Sequence, residues 1–67
     1  MEYHSEKLVK DIIHMRDAIG ISLRTAAKDI GISNATLSRI ERGKTPDIIT
    51  FGLICKWLNR NTSNYLY

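Results

Sequence analysis

The sequence predicts an all-α fold, a compact bundle of four to five helices built around a short, steeply crossed central pair. Three observations lead there. Apolar residues recur at three- and four-residue intervals through most of the 67 residues, and strand-like alternation persists nowhere. Ser5, Ser22, Ser33 and Asp47 each stand where a cap would open such a segment, and glycine follows the first three segments. Between the second and third segments a single Gly-containing break leaves too little chain for an antiparallel hairpin, so those two helices must cross at a steep angle.

The first helix runs from about Ser5 to Ile19, with Glu6 favourably placed in its first turn and Gly20 as its C′ residue. Leu8, Ile12, Met15 and Ile19 make its core stripe, widened by Val9 and Ile13. Ser22 opens the second helix, which carries Leu23, Ala26, Ala27 and Ile30. Gly31 interrupts, Ile32 follows, and Ser33 opens the third helix, anchored by Leu37 and Ile40. The small side chains of Ala26 and Ala27 let the pair approach closely, which is the helix-turn-helix geometry.

Gly43 ends the third helix and Lys44-Thr45-Pro46 forms a short loop. Pro46 blocks continuation, and Asp47 caps a fourth helix over about Ile48 to Leu58. Ile48, Phe51, Ile54, Cys55 and Leu58 fit its inward face. Gly52 in mid-helix costs about 1 kcal/mol relative to alanine and is expected at a close helix crossing. Ile49, Leu53 and Trp57 form a second apolar stripe, and the tail NRNTSNYLY offers a short fifth helix bringing Tyr65, Leu66 and Tyr67. Two covers for that stripe stand open. Either the tail folds back over it, or a partner, most simply a second copy of the chain, buries it in a two-fold interface using Ile49, Leu53, Trp57 and Tyr65.

The size is that of one domain, residues 1–67, with a core over about 5–58 and a tail over 59–67. So short a chain cannot easily surround an enzyme pocket and still bury enough apolar surface to fold. No apolar run approaches the roughly 18 residues of a membrane span, and MEYHSEKL does not read as a secretory signal. One cysteine, Cys55, cannot form an internal disulfide, which fits a reducing cytoplasm. His4 and His14 have no zinc-site pattern around them, there is no Gly-rich phosphate loop, and no cofactor or catalytic residue is expected.

The placement of charge is more informative than its total of +3. Residues 22–45 hold Arg24, Lys28, Arg39, Arg42 and Lys44 against Asp29 and Glu41, while the remaining cations and anions cancel. On the third helix, at about 100° per residue, Ala35, Ser38, Arg39 and Arg42 fall on one narrow polar stripe opposite Leu37 and Ile40. A helix entering a DNA major groove needs such a hydrogen-bonding, cationic, acid-free face. Arg39 is the best base-reading candidate, through bidentate bonds to guanine, with a phosphate contact as its alternative. Asn34 suits adenine or the backbone, Ala35 a thymine methyl or mere clearance, and Ser38 a base edge or a phosphate. Arg24, Ser33, Thr36, Arg42 and Lys44 suit phosphate, supplying affinity and salt dependence rather than sequence preference. Lys28 suits phosphate or bulk solvent equally.

With these residues in view, the chain resembles the Cro/C1-type helix-turn-helix family, which includes phage repressors and many small regulators. The resemblance runs from about Leu8 to Leu58 and is strongest over AAKDIGISNATLSRIERGKTP, where Ala27, Gly31, Leu37, Ile40, Glu41, Gly43, Lys44 and Pro46 stand at matching places. It implies a lambda repressor-like fold, binding to double-stranded DNA, a homodimer on that DNA, and repression of transcription. It also implies an ion pair between Arg16 and Glu41 that joins the first helix to the end of the third. The chain departs from the family pattern at Leu23, where a DNA-touching glutamine is frequent, and at Ala26, where leucine is usual. Half-site preference therefore does not carry over. The competing expectation from another class is a protein-interaction module, such as the antitoxin partner of a toxin, working through the fourth helix and tail.

Overall fold

The computed structural model describes residues 5–65, all of it helix and connecting turn, with no strand among the described residues. Four α-helices, α1 (Ser5–Ile19), α2 (Leu23–Ile30), α3 (Asn34–Glu41) and α4 (Ile48–Leu58), are followed by one 3₁₀ turn, Thr62–Asn64. Local chemistry sets the boundaries. Ser22 Oγ accepts the Thr25 N–H at 3.2 Å, Ser33 Oγ that of Thr36 at 3.0 Å, and Asp47 Oδ1 that of Thr50 at 2.7 Å. α2 ends because Gly31 turns left-handed, at φ +96°, which lets both its own N–H and that of Ile32 bond back to the Ala27 carbonyl. Asn59, at φ +57°, ends α4 in the same manner.

The core gathers one stripe from each helix. Leu8 and Ile12 come from α1, Ala26, Ala27 and Ile30 from α2, Leu37 and Ile40 from α3, and Phe51, Ile54, Cys55 and Leu58 from α4. α2 packs chiefly on α3; α2 also rests on α4, α3 rests on α1, and α1 meets α4. The two alanines are fully buried, so the close crossing at the centre depends on their lack of bulk.

Three expectations fail, two of them because helix ends overhang the core and the third because Gly52 lies on the outer side of α4. Ile19, in the last turn of α1, is 53 % exposed, and Ile21 beyond the turn packs against the core in its place. Ile48 opens α4, and because helical side chains lean toward the N-terminus it points past the body of the domain, 76 % exposed. Gly52 marks no crossing: a Cβ built there meets nothing within 4 Å. Gly52→Ala should therefore raise the unfolding free energy by about 0.5–1 kcal/mol, read as a higher urea midpoint at unchanged slope.

Part of the second α4 stripe is taken up by the chain's own core. Leu53 and Trp57 are half-buried against the core. The 3₁₀ turn, capped by Asn61 Oδ1 on the Ser63 N–H at 3.0 Å, packs on α4. Tyr65 is then completely buried, which removes it from the proposed partner surface: it is a core residue of its own chain. Its ring meets Phe51 edge-on with centroids 6.1 Å apart, and its Oη donates to Asp11 Oδ2 at 2.6 Å. Lys7 Nζ lies 5.7 Å from the Tyr65 ring centroid and donates to the Asn64 carbonyl at 3.3 Å. Leu66 and Tyr67 lie outside the described residues, as does His4. Ile49 remains 74 % exposed beside Ile48 and Gly52, so an apolar strip persists along the outer side of the α4 start.

Candidate nucleic-acid interface

The outward face of α3 is created by what lies behind it. Leu37 and Ile40, at 0 % and 2 % exposure, fix the rotation of the helix about its axis and turn the other side to solvent. Asn34, Ala35 and Arg39 are exposed there, and Thr36 and Ser38 are half-buried at its margins. Ser33 and Thr36 also bond hydroxyl to hydroxyl at 2.7 Å, which holds both polar groups at the leading end of the helix.

Arg39 makes no hydrogen bond or ion pair among the described residues, so its guanidinium is uncommitted and available to an outside acceptor. Arg24, Lys28 and Lys44 are likewise exposed and free of acid partners. Arg42 differs. Its Nε lies 3.4 Å from the Ser38 carbonyl, a weak bond that folds the side chain back along α3 and sets its charge on the negative end of the helix.

The single ion pair among the described residues is Arg16–Glu41. Arg16 Nε donates to Glu41 Oε2 at 2.9 Å and Nη2 to Oε1 at 3.0 Å, a bidentate pair. The side chains are 20 % and 11 % exposed. The Glu41 hydrogen bond pushes the Arg16 guanidinium above its ordinary value, with burial opposing it. The pair ties α1 to the end of α3, so the tilt of the exposed face is held from both sides: by apolar packing behind and by this fork at its C-terminal end.

Sequence order also separates residues that the fold brings together. A cleft of about 170 Å³ joins the α3 face to the following loop and the start of α4, with Thr36, Arg39, Lys44, Asp47 and Thr50 among its walls. Thr45, Thr50 and Asp47 were not legible as site residues, because nothing in their spacing places them beside Arg39. The Thr50 N–H, followed by its side chain, holds the Asp47 carboxyl below the usual carboxylate range, so it is ionised at neutral pH. On the other flank, Lys10 and Lys7 of α1 line a depression with Arg42 and Gly43. Glu6 and Glu41 share that depression, so its charge is mixed and the cationic face is that of α3 and the loop after it.

Other chemistry finds little here. Cys55 is buried, and burial pushes its thiol up, which disfavours the nucleophilic thiolate. No group of His, Cys, Asp and Glu able to hold a metal occurs among the described residues. None of the described helices is long and apolar enough to cross a membrane.

A family model described as helix-turn-helix matches residues 12–63, most of the chain. This protein belongs to the Cro/C1-type helix-turn-helix family. That family is one of DNA-binding regulators. The matched stretch holds α2 and α3 entire, with Arg16, Glu41 and the whole of the cleft. No curated protein and no solved structure matches the chain.

Proposed function

We propose that this helix-turn-helix protein represses transcription by occupying an operator, with α3 in the DNA major groove. One observation carries the reading: an uncommitted Arg39 on an acid-free outward stripe, backed by Leu37 and Ile40. Asn34, Ala35, Ser38 and Arg39 read bases, while Arg24, Ser33, Thr36, Arg42 and Lys44 hold phosphates. Each phosphate neutralised by Arg24, Arg42 or Lys44 makes log K fall with log salt by about 0.9. Selection from a random duplex pool, followed by titration of the selected site between 50 and 200 mM salt, tests this directly. A shared motif and a steep salt slope are expected. Recovery of no motif together with salt-independent or undetectable binding overturns it.

The operator-bound form is a homodimer, its half-sites about one helical turn, roughly 10 bp, apart. Ile48, Ile49 and the open Gly52 support this choice, since an apolar strip with no Cβ at its middle suits close approach of the same strip on a second copy. Ile49→Glu is the cleaner probe, because Trp57 also packs on its own core. It should lower the sedimentation coefficient to that of a monomer and remove the paired half-sites from the selected motif. An unchanged profile, or tight capture of a toxin-like helical protein through this strip, would assign the strip to another partner.

A further inference from the structure

We propose that Asp47 limits the affinity of this interface for every duplex sequence alike, acting as a brake on backbone contact. The inference rests on the duplex-binding reading above and adds a residue that opposes it. Asp47 is the one acid among the residues lining the cleft that joins Arg39 and Lys44 to the start of α4. Its carboxylate is exposed and reaches neither cation closely enough to form an ion pair. The charge is therefore not cancelled locally, and it faces the same solvent as the cations that would meet phosphate.

The position makes the effect specific. Asp47 Oδ1 already accepts the Thr50 N–H at 2.7 Å, so an internal anion stands at the N-terminus of α4, where an incoming phosphate would otherwise find free donors. Capping alone does not demand the charge, because asparagine and serine cap helices about as well as aspartate. What aspartate adds over asparagine is a fixed negative charge within a Debye length, about 10 Å at 0.1 M salt, of any backbone passing the cleft. Repulsion of that kind is blind to base sequence. It lowers affinity and shortens residence uniformly, leaving discrimination to the α3 side chains.

The test compares Asp47→Asn and Asp47→Ser with the wild-type chain on a random-sequence duplex of about 30 bp and on the selected site. Both variants keep a neutral cap. Both should bind both duplexes about three- to tenfold more tightly at 0.1 M salt, with the gain shrinking as rising salt screens the charge, so that the salt slope is steeper than wild type. Thermal melting monitors the fold of each variant. Unchanged affinity and slope in a folded variant overturn the proposal while the duplex-binding reading survives. Tightening confined to one sequence also overturns it, because Asp47 would then face a base. A wild-type chain that binds neither duplex between 50 and 200 mM salt removes both readings together.

Discussion

Tyr65→Ala should lower the unfolding free energy by about 3–5 kcal/mol, the cost of removing a buried aromatic side chain. At roughly 0.05–0.15 kcal/mol per residue, a chain of 67 residues has on the order of 3–10 kcal/mol in all, so this one change removes a third or more. The size follows from geometry. The ring is fully buried, closes edge-on against Phe51, and ties the tail to α1 through Asp11. Urea unfolding followed by circular dichroism gives the result directly. A loss below about 1 kcal/mol would mean that the tail does not pack as described, since cavity and transfer costs both scale with burial.

Tyr65→Phe separates the ring from its hydroxyl. It keeps the packing and loses one hydrogen bond to a half-buried carboxylate, worth about 1 kcal/mol because Asp11 can regain water. The phenol also carries a pH signature. Burial, then the Asp11 bond and charge, push its pKa above the ordinary value of 10.0. A group raised on folding contributes stability that is complete below its unfolded pKa and is lost as pH rises through the folded one. Wild-type stability should therefore decline above pH 10 more steeply than that of Tyr65→Phe. Parallel pH profiles for the two proteins would exclude the buried phenol.

Arg39→Ala should reduce discrimination at one base pair by about 1–3 kcal/mol, roughly a five- to 150-fold loss of preference for the selected base over its replacements. The fold should not notice, with stability within about 0.5 kcal/mol of wild type, because Arg39 makes no internal contact among the described residues. Arg42→Ala gives the contrasting pattern. It should weaken binding to all sequences alike and reduce the salt slope by about 0.9, as expected for a lost phosphate contact. Affinities for the selected site and its single-base variants, at fixed salt, distinguish the two. If Arg39→Ala merely weakens every duplex equally, Arg39 is a phosphate contact, and base reading passes to Asn34 and Ser38.

Much of the architecture could be read locally. Ser22, Ser33 and Asp47 cap their helices because a side-chain oxygen reaches the N–H three residues on whatever the rest of the chain does. Gly31 breaks the central pair because a residue without Cβ adopts positive φ at little cost. Leu37 and Ile40 are buried, with Ala35 and Arg39 exposed opposite them, because helical periodicity alone assigns the two sides. Arg16 and Glu41 were paired by resemblance, since no local rule joins residues so far apart, and in the structure they meet.

What the sequence by itself determined was therefore the helices, their caps, and the side that each turns inward or outward, all consequences of interactions within a few residues. Only the tertiary structure decided where each helix runs beyond its neighbours, and with it the fates of Ile19 and Ile48, whose spacing matched the core but whose positions overhang it, and of Gly52, which faces open space where a helix crossing was expected. It also decided that Tyr65 closes the core of its own chain, and that Asp47, Thr50 and Lys44 share a cleft with Arg39. Contacts between residues distant along the chain depend on helix lengths and crossing angles together, and periodicity within one helix carries no information about where another helix ends.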